Sequence, residues 1–79
     1  MNKARRRSIG RIQAQLLDLI EELRAIHEEE QDAIDNIPES LLESDRAQRM
    51  QEGADLLETQ LDTLEEVAGE LQSIVEDSF

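Results

Sequence analysis

The sequence predicts an all-α protein: an antiparallel two-helix hairpin of coiled-coil type, which we expect to dimerise into a four-helix bundle. Three observations support this prediction. Apolar residues recur at alternating steps of three and four through most of the 79 residues. A single proline, Pro38, lies near the middle. Aromatic residues make up only 1% of the chain, and helix-forming residues dominate, so strands are disfavoured.

The length limits how stable one copy can be. A chain of 79 residues holds at most one domain, and domains of this size often rely on disulfides, metals or oligomerisation for support. The sequence has no cysteine and one histidine, so disulfides and thiolate metal sites are excluded. We expect no cofactor and no metal, which leaves a protein partner as the support.

The first helix is predicted over residues 8–35. Its main apolar line has eight apolar residues in nine core positions and is interrupted only by Glu30: Ile9, Ile12, Leu16, Leu19, Leu23, Ile26, Glu30, Ala33 and Ile37. A second line lies beside it and contains Leu17, Ile20 and Ile34. Because proline disfavours helical geometry at the preceding residue, the helix is expected to end at residue 35 or 36.

The second helix is predicted over residues 45–77, after a connection over residues 36–44. Ser44 followed by Asp45 is a typical helix start. The core line is continuous: Ala47, Met50, Ala54, Leu57, Leu61, Leu64, Ala68, Leu71 and Val75. Gly53 and Gly69 lie within this helix, either as tolerated weak points or as places where another backbone comes close.

Each helix is apolar over a wider face than one seam requires. The side chains expected outside the seam, and therefore at a partner or dimer interface, are Leu17, Ile20, Ile34, Leu56, Val67 and Ile74. Burial of a Leu or Ile side chain gains about 1.5–3 kcal/mol. A second copy is the simplest cover; a different protein and a solitary hairpin are the alternatives.

Two polar residues fall near the predicted core. Glu30 occupies a core position, where a polar residue often fixes the register of paired helices; the alternative is a partly exposed residue near the loop end. In a hairpin that reverses at the loop, residue 30 lies roughly opposite residue 50, so Arg46 and Arg49 are the expected partners of Glu30. His27 could form a metal site with Glu30, but the Glu-x-x-His pairs of di-iron bundles are missing, so a structural role is favoured.

Charge is distributed unevenly. The first eleven residues contain five basic side chains and no acidic one, namely Lys3, Arg5, Arg6, Arg7 and Arg11, and residues 1–7 are predicted to form a basic arm. The remainder carries −17, which gives the net −12. An acidic face is expected at Glu28, Glu29, Asp32, Asp62, Glu65 and Glu66, suited to basic protein surfaces.

The basic arm has two interpretations. It could bind nucleic acid or an anionic membrane. Alternatively, it could offset the acids at the end of the second helix, Glu70, Glu76 and Asp77, next to which an antiparallel hairpin would place it. We favour the second interpretation, because no aromatic residue is available to stack on bases and the acidic body repels phosphates.

Several chemistries are unsupported by the sequence. There is no calcium-binding loop, no phosphate-binding Gly-rich loop and no pocket-forming aromatic wall, so we expect neither enzymatic activity nor a small-molecule substrate. No apolar run reaches the ~20 residues of a membrane span, and no secretory signal is evident. We therefore expect a cytoplasmic protein that does not bind membranes.

The region around the connection resembles a known group of proteins. The segment Asp35-Asn36-Ile37-Pro38-Glu39-Ser40-Leu41, followed by Ser44-Asp45-Arg46 and Met50, resembles small acidic proteins from Gram-positive bacteria and their phages. The opening Met1-Asn2-Lys3-Ala4-Arg5-Arg6 is similar to theirs as well. The resemblance implies a phage or mobile-element setting in the host cytoplasm and carries no functional residues across.

Three functional hypotheses follow. The first is an acidic helical module that binds a protein, in its most specific form a phage-encoded inhibitor that docks on a basic surface of a host defence or nucleic-acid-processing protein. The second is a structural module whose only partner is a second copy of itself. The third is nucleic-acid binding through the basic arm.

Overall fold

A computed structural model describes residues 1–76 of the chain. It contains two long helices, α1 (Lys3–Asp35) and α2 (Asp45–Val75), joined through a 3-10 turn at Glu39–Leu41. Helix accounts for 88% of the structure, and no strand occurs in the described residues. The two helices pack side by side in a rod of 59 × 17 × 13 Å, which confirms the predicted all-α hairpin.

The start of α1 differs from the prediction. Residues 1–7 were predicted to be an arm, but the helix already begins at Lys3. The Asn2 side-chain oxygen accepts a hydrogen bond from the Arg5 backbone N–H at 2.8 Å and so caps the first turn. This cap and the high helix propensity of Ala and Arg outweigh the unfavourable placement of positive charge at a helix start.

The connection reverses the chain through a series of caps. α1 ends at Asp35, where the conformational restriction imposed by Pro38 predicts an end. The backbone N–H of Leu41 donates to the carbonyl oxygen of Pro38 at 2.8 Å within the 3-10 turn. Ser44 then caps α2 by accepting from the Ala47 N–H at 3.2 Å. α2 ends at Val75 with Glu76 as its C-cap, and residue 77, the predicted end, lies outside the described residues.

The seam between the helices uses the predicted line of α2. Every seventh residue of that line is buried, namely Ala47, Ala54, Leu61 and Ala68. The intervening Met50, Leu57, Leu64 and Leu71 are half-buried. This alternation of buried and half-buried residues shows that α2 packs against α1 through its predicted core line.

The seam uses only part of the predicted line of α1: Leu16 and Leu23 pack against the core as predicted, but other positions of that line do not. Gln13, Ile20 and Ile34 are buried, with Ile20 only 2% exposed in a cluster with Leu61 and Ala68. The expectation that Ile20 and Ile34 would lie outside the hairpin core is therefore wrong. The predicted core residues Ile12, Leu19 and Ile26 are instead 52 to 56% exposed. α1 has more apolar residues than one neighbouring helix can cover, so a count of them does not decide which line faces α2.

A buried hydrogen bond sets the register near the chain ends. The side-chain Nε2 of Gln13 donates to the backbone carbonyl of Ala68 at 2.9 Å, and both residues are buried. Sliding the helices by one residue would leave this amide without a partner, at a cost of about 1–3 kcal/mol. Gln13 thus has the register role that the sequence assigns to Glu30.

Candidate functional site

The most distinctive surface feature is a set of apolar side chains that the hairpin leaves uncovered. Six large apolar residues of the two helices are 41 to 61% exposed, and five of them, all except Leu17, form what we call the apolar face: Ile12, Leu19, Ile26, Leu56 and Val67. The three α1 residues are spaced by seven, which places them in one line along the helix. On α2, Val67 lies in the line one residue before the buried Ala68, and Leu56, two residues after the buried Ala54, borders this line.

The two lines lie on the same side of the rod. Ile26 and Glu30 line a shallow hollow together with Gly53 and Leu57 of α2. Val67 lies two heptads beyond Gly53 and therefore on the same edge of α2. The half-buried side chains that bridge the lines also belong to the core cluster: Leu16, Leu23, Leu57 and Leu64. The result is a largely apolar strip along one side of the hairpin, interrupted by Glu30 at the hollow and by Gln60 on α2.

The opposite side of the hairpin is polar. Arg24 of α1 forms an ion pair with Glu65 of α2 across that edge, with both side chains almost half exposed. Such an exposed pair contributes about 0–1 kcal/mol. In α2 the heptad positions on this edge are Gln51, Glu58, Glu65 and Gln72. The hairpin thus has one largely apolar side and one largely polar side.

The predicted interface residues divide between these surfaces. Val67 and the half-buried Ile74, seven residues later, lie on the apolar edge of α2, and Leu56 borders it at 61% exposure. Leu17 is 45% exposed but lies seven residues before Arg24, on the polar side. Ile20 and Ile34 face α2. The residues that replace them on the apolar face are Ile12, Leu19 and Ile26.

The predicted polar partners of Glu30 do not reach it. Glu30 is half-buried beside the hollow, and neither Arg46 nor Arg49 forms an ion pair with it within residues 1–76. Both arginines are exposed; Arg49 donates to the backbone carbonyl of Asp45, and Arg46 borders a second hollow at the loop end. That expectation is wrong, because the register places Ala54 and Leu57, rather than a cation, beside Glu30.

His27 lies in the seam, two heptads after Gln13 and one after Ile20. Its Nε2 is buried and has no hydrogen-bond partner among the described residues. Within residues 1–76 no group of three or more His, Asp or Glu side chains is arranged to hold a metal ion. The same part of the chain has no helix apolar enough over sufficient length to cross a lipid bilayer.

The predicted acidic-face residues are spread over different sides of the hairpin, and the basic residues cluster at the start of α1. All six predicted acidic-face residues are exposed, but Glu29 borders the hollow on the apolar side whereas Glu65 pairs on the polar side. They do not form a single face. The basic residues occupy the first three turns of α1, where Lys3, Arg6 and Arg7 lie close to Val75 at the end of α2. Asp77, expected to lie near them, is outside the described residues.

The comparisons with known proteins add no assignment. No family model, curated protein or solved structure matches this chain. What the chain can do is therefore inferred from its own surfaces.

Proposed function

We propose that this protein is a non-enzymatic, acidic helical module that binds another protein surface through its apolar face. The observation that supports this proposal most strongly is the one-sided exposure of Ile12, Leu19 and Ile26. Isolated exposed apolar side chains are ordinary on protein surfaces, but a largely apolar strip bordered by charge is typical of interaction sites. The cost of leaving the strip in water is removed when a partner covers it.

A pair of variants tests this proposal. Ile12→Ser with Ile26→Ser removes apolar area from the face, and Leu17→Ser removes a similar side chain from the polar side. We expect the first variant to lose association with itself or with host proteins, measured by sedimentation and by affinity capture, and the second to keep it. Equal binding by both variants, or no association of the natural chain with any protein, would refute the proposal.

A second candidate function rests on charge. The loop half of the rod, residues 21–60, contains thirteen acidic and three basic side chains, a sum of −10. Carboxylates on a stiff rod could occupy a basic groove, as a phage-encoded inhibitor of a nucleic-acid-processing protein would. Binding to purified nucleases should then weaken steeply between about 0.1 M and about 1 M salt. Binding that ignores salt would exclude this candidate.

Nucleic-acid binding through the basic start of α1 is the least supported alternative. Those residues are arranged around the first helical turns beside the acidic end of α2, and no aromatic residue lies among them. We expect no retention of DNA or RNA at low salt. Retention that is lost on deletion of residues 1–7 would reverse this ranking.

A further inference from the structure

We infer that the apolar face is covered by a second copy of this chain, with the two rods antiparallel, so that the basic start of α1 in one copy meets the acidic loop half of the other. This inference rests on the proposed function, since it names the occupant of the same face. It is supported by the area of the face, the charge along the rod and the spacing of the exposed residues.

The side of the rod that carries the apolar face is large enough for a stable dimer. A side 59 Å long and 17 Å wide has a projected area of about 1,000 Å² per copy. Specific protein interfaces bury about 800 Å² on each partner. Packing two such sides together gives a four-helix bundle, in which the half-buried leucines between the two lines become fully buried.

Charge determines the direction of the two rods. The buried cluster pairs Ile20 with Leu61, and this level divides the rod into two halves. The half with the chain ends contains residues 1–20, with five basic and one acidic side chain, and residues 61–76, with five acidic ones, a sum of −1. The loop half, residues 21–60, sums to −10, and Asp77 supplies the remaining unit of the net −12.

A parallel dimer would place two halves of −10 side by side. An antiparallel dimer places each −10 half beside a −1 half, with the five basic side chains of α1 nearest to acids of the neighbouring copy. At about 0.1 M salt charges interact over about 10 Å, which is the distance between packed helices. Electrostatic repulsion therefore favours the antiparallel arrangement.

The spacing of the exposed residues fits a two-fold axis. Ile12 and Ile26 each lie seven residues from Leu19, so an axis through Leu19 places Ile12 of one copy against Ile26 of the other. Arg5 continues the same line seven residues before Ile12. The axis places it beside residue 33 of the neighbour, one helical turn from Glu29. Both Arg5 and Glu29 are exposed, so an ion pair between them across the interface is sterically accessible.

Charge exchange tests this contact, and the weakening of both homodimers relative to the natural chain distinguishes the antiparallel dimer, because a parallel dimer already sets like residues side by side. In Arg5→Glu both ends of the dimer would bring two acids together, and in Glu29→Arg both ends would bring two bases together. Each homodimer should weaken by about tenfold, since surface pairs are individually modest. Mixed together, the two variants restore an opposite pair at each end, so heterodimers should exceed the statistical half when counted by native mass spectrometry.

A distance measurement checks the direction independently of stability. The chain has no cysteine, so a nitroxide on Ser8→Cys is a unique label. With the axis at Leu19, two labels lie about 33 Å apart along the rods, twice eleven residues at about 1.5 Å each. A parallel dimer holds them within about 20 Å, two helix diameters. Dipolar EPR of the full chain distinguishes the two arrangements.

The outcomes separate this inference from the proposed function. Statistical mixing of the two charge variants, or a short label distance, would overturn the antiparallel arrangement. A chain that stays monomeric at millimolar concentration would overturn the second copy as occupant. In that case a foreign protein lost specifically by the Ile12→Ser, Ile26→Ser variant would leave the proposed function standing. If the Ile12→Ser, Ile26→Ser variant changed neither self-association nor binding to other proteins, both the inference and the proposed function would be refuted.

Discussion

Two isoleucines of α1, eight residues apart, should differ sharply in their contribution to stability. Ile20 is 2% exposed and packs against Leu61 and Ala68, whereas Ile12 is 54% exposed on the apolar face. Truncation of a buried isoleucine to alanine costs about 2–5 kcal/mol. Because the seam is only two helices thick and can partly collapse, we expect about 2–3 kcal/mol for Ile20→Ala. For Ile12→Ala in the monomer we expect about 1 kcal/mol or less, since half of the side chain already contacts water.

Both substitutions change helix propensity equally, so that contribution cancels in the comparison. A domain of this length has a stability of about 4–12 kcal/mol, with the lower end expected for so thin a core, and Ile20→Ala should remove a large part of it. The assay is urea unfolding followed by circular dichroism at 222 nm over a range of protein concentrations. The loss from Ile12→Ala should grow with concentration as the dimer forms. Equal losses at low concentration, or a larger loss from Ile12→Ala there, would refute the assigned seam.

Three further substitutions test individual features. His27→Leu removes the unpartnered buried nitrogen and should raise the unfolding free energy by about 1 kcal/mol in the same urea assay; a loss would mean that the imidazole has a partner in solution. Apart from the neighbouring backbone of α2 itself, no atom lies within 4 Å of a Cβ added at Gly53 or Gly69, so both alanine variants should gain about 0.5–1 kcal/mol. Only Gly53→Ala, on the apolar side, should change the dimer dissociation constant in sedimentation; an equal change from Gly69→Ala would contradict the assigned interface. Ser44→Ala should lower the melting temperature through loss of the α2 cap, worth about 1 kcal/mol, and an unchanged melting temperature would show that the cap is dispensable.

The sequence predicts the hairpin well because its signals are local. Pro38 ends one helix and Ser44 begins the next, and each acts through its own backbone or side chain. The line of α2 that packs against α1 is equally easy to predict from the sequence, because every residue in it is apolar. The early start of α1 could also have been recognised, since Asn2 is among the best N-cap residues.

The register of α1 depends on packing and not on local preference. Its most apolar line, with Ile12, Leu19 and Ile26, lies beside the seam and is half exposed, whereas the line that includes the polar Gln13 and His27 faces α2. Three of the four buried residues of α2 are alanines, Ala47, Ala54 and Ala68, and these leave room for longer side chains. A search for complementary sizes across the seam, rather than for the greatest number of apolar residues, would have selected the correct line.

This difference changes the candidate site. Had the most apolar line been buried, the spare surface would have been a few scattered side chains on both edges. With that line outside, the spare surface is a single strip on one side, and Leu17 on the polar side is excluded from it. The positions of charged side chains around the strip follow only once the register is known, which is why Arg5 and Glu29 could not be paired across copies from sequence.

Cysteine protection tests the central claim most directly, because any cysteine introduced into this chain is unique. Leu19→Cys and Ile20→Cys place a thiol at adjacent positions on the two sides of the boundary between apolar face and seam. We predict that at low protein concentration the thiol at position 20 reacts slowly with a soluble disulfide reagent while the thiol at position 19 reacts at nearly the unfolded rate, and that position 19 becomes protected as concentration rises. Equal rates at both positions, or protection of position 19 alone in the monomer, would contradict the account.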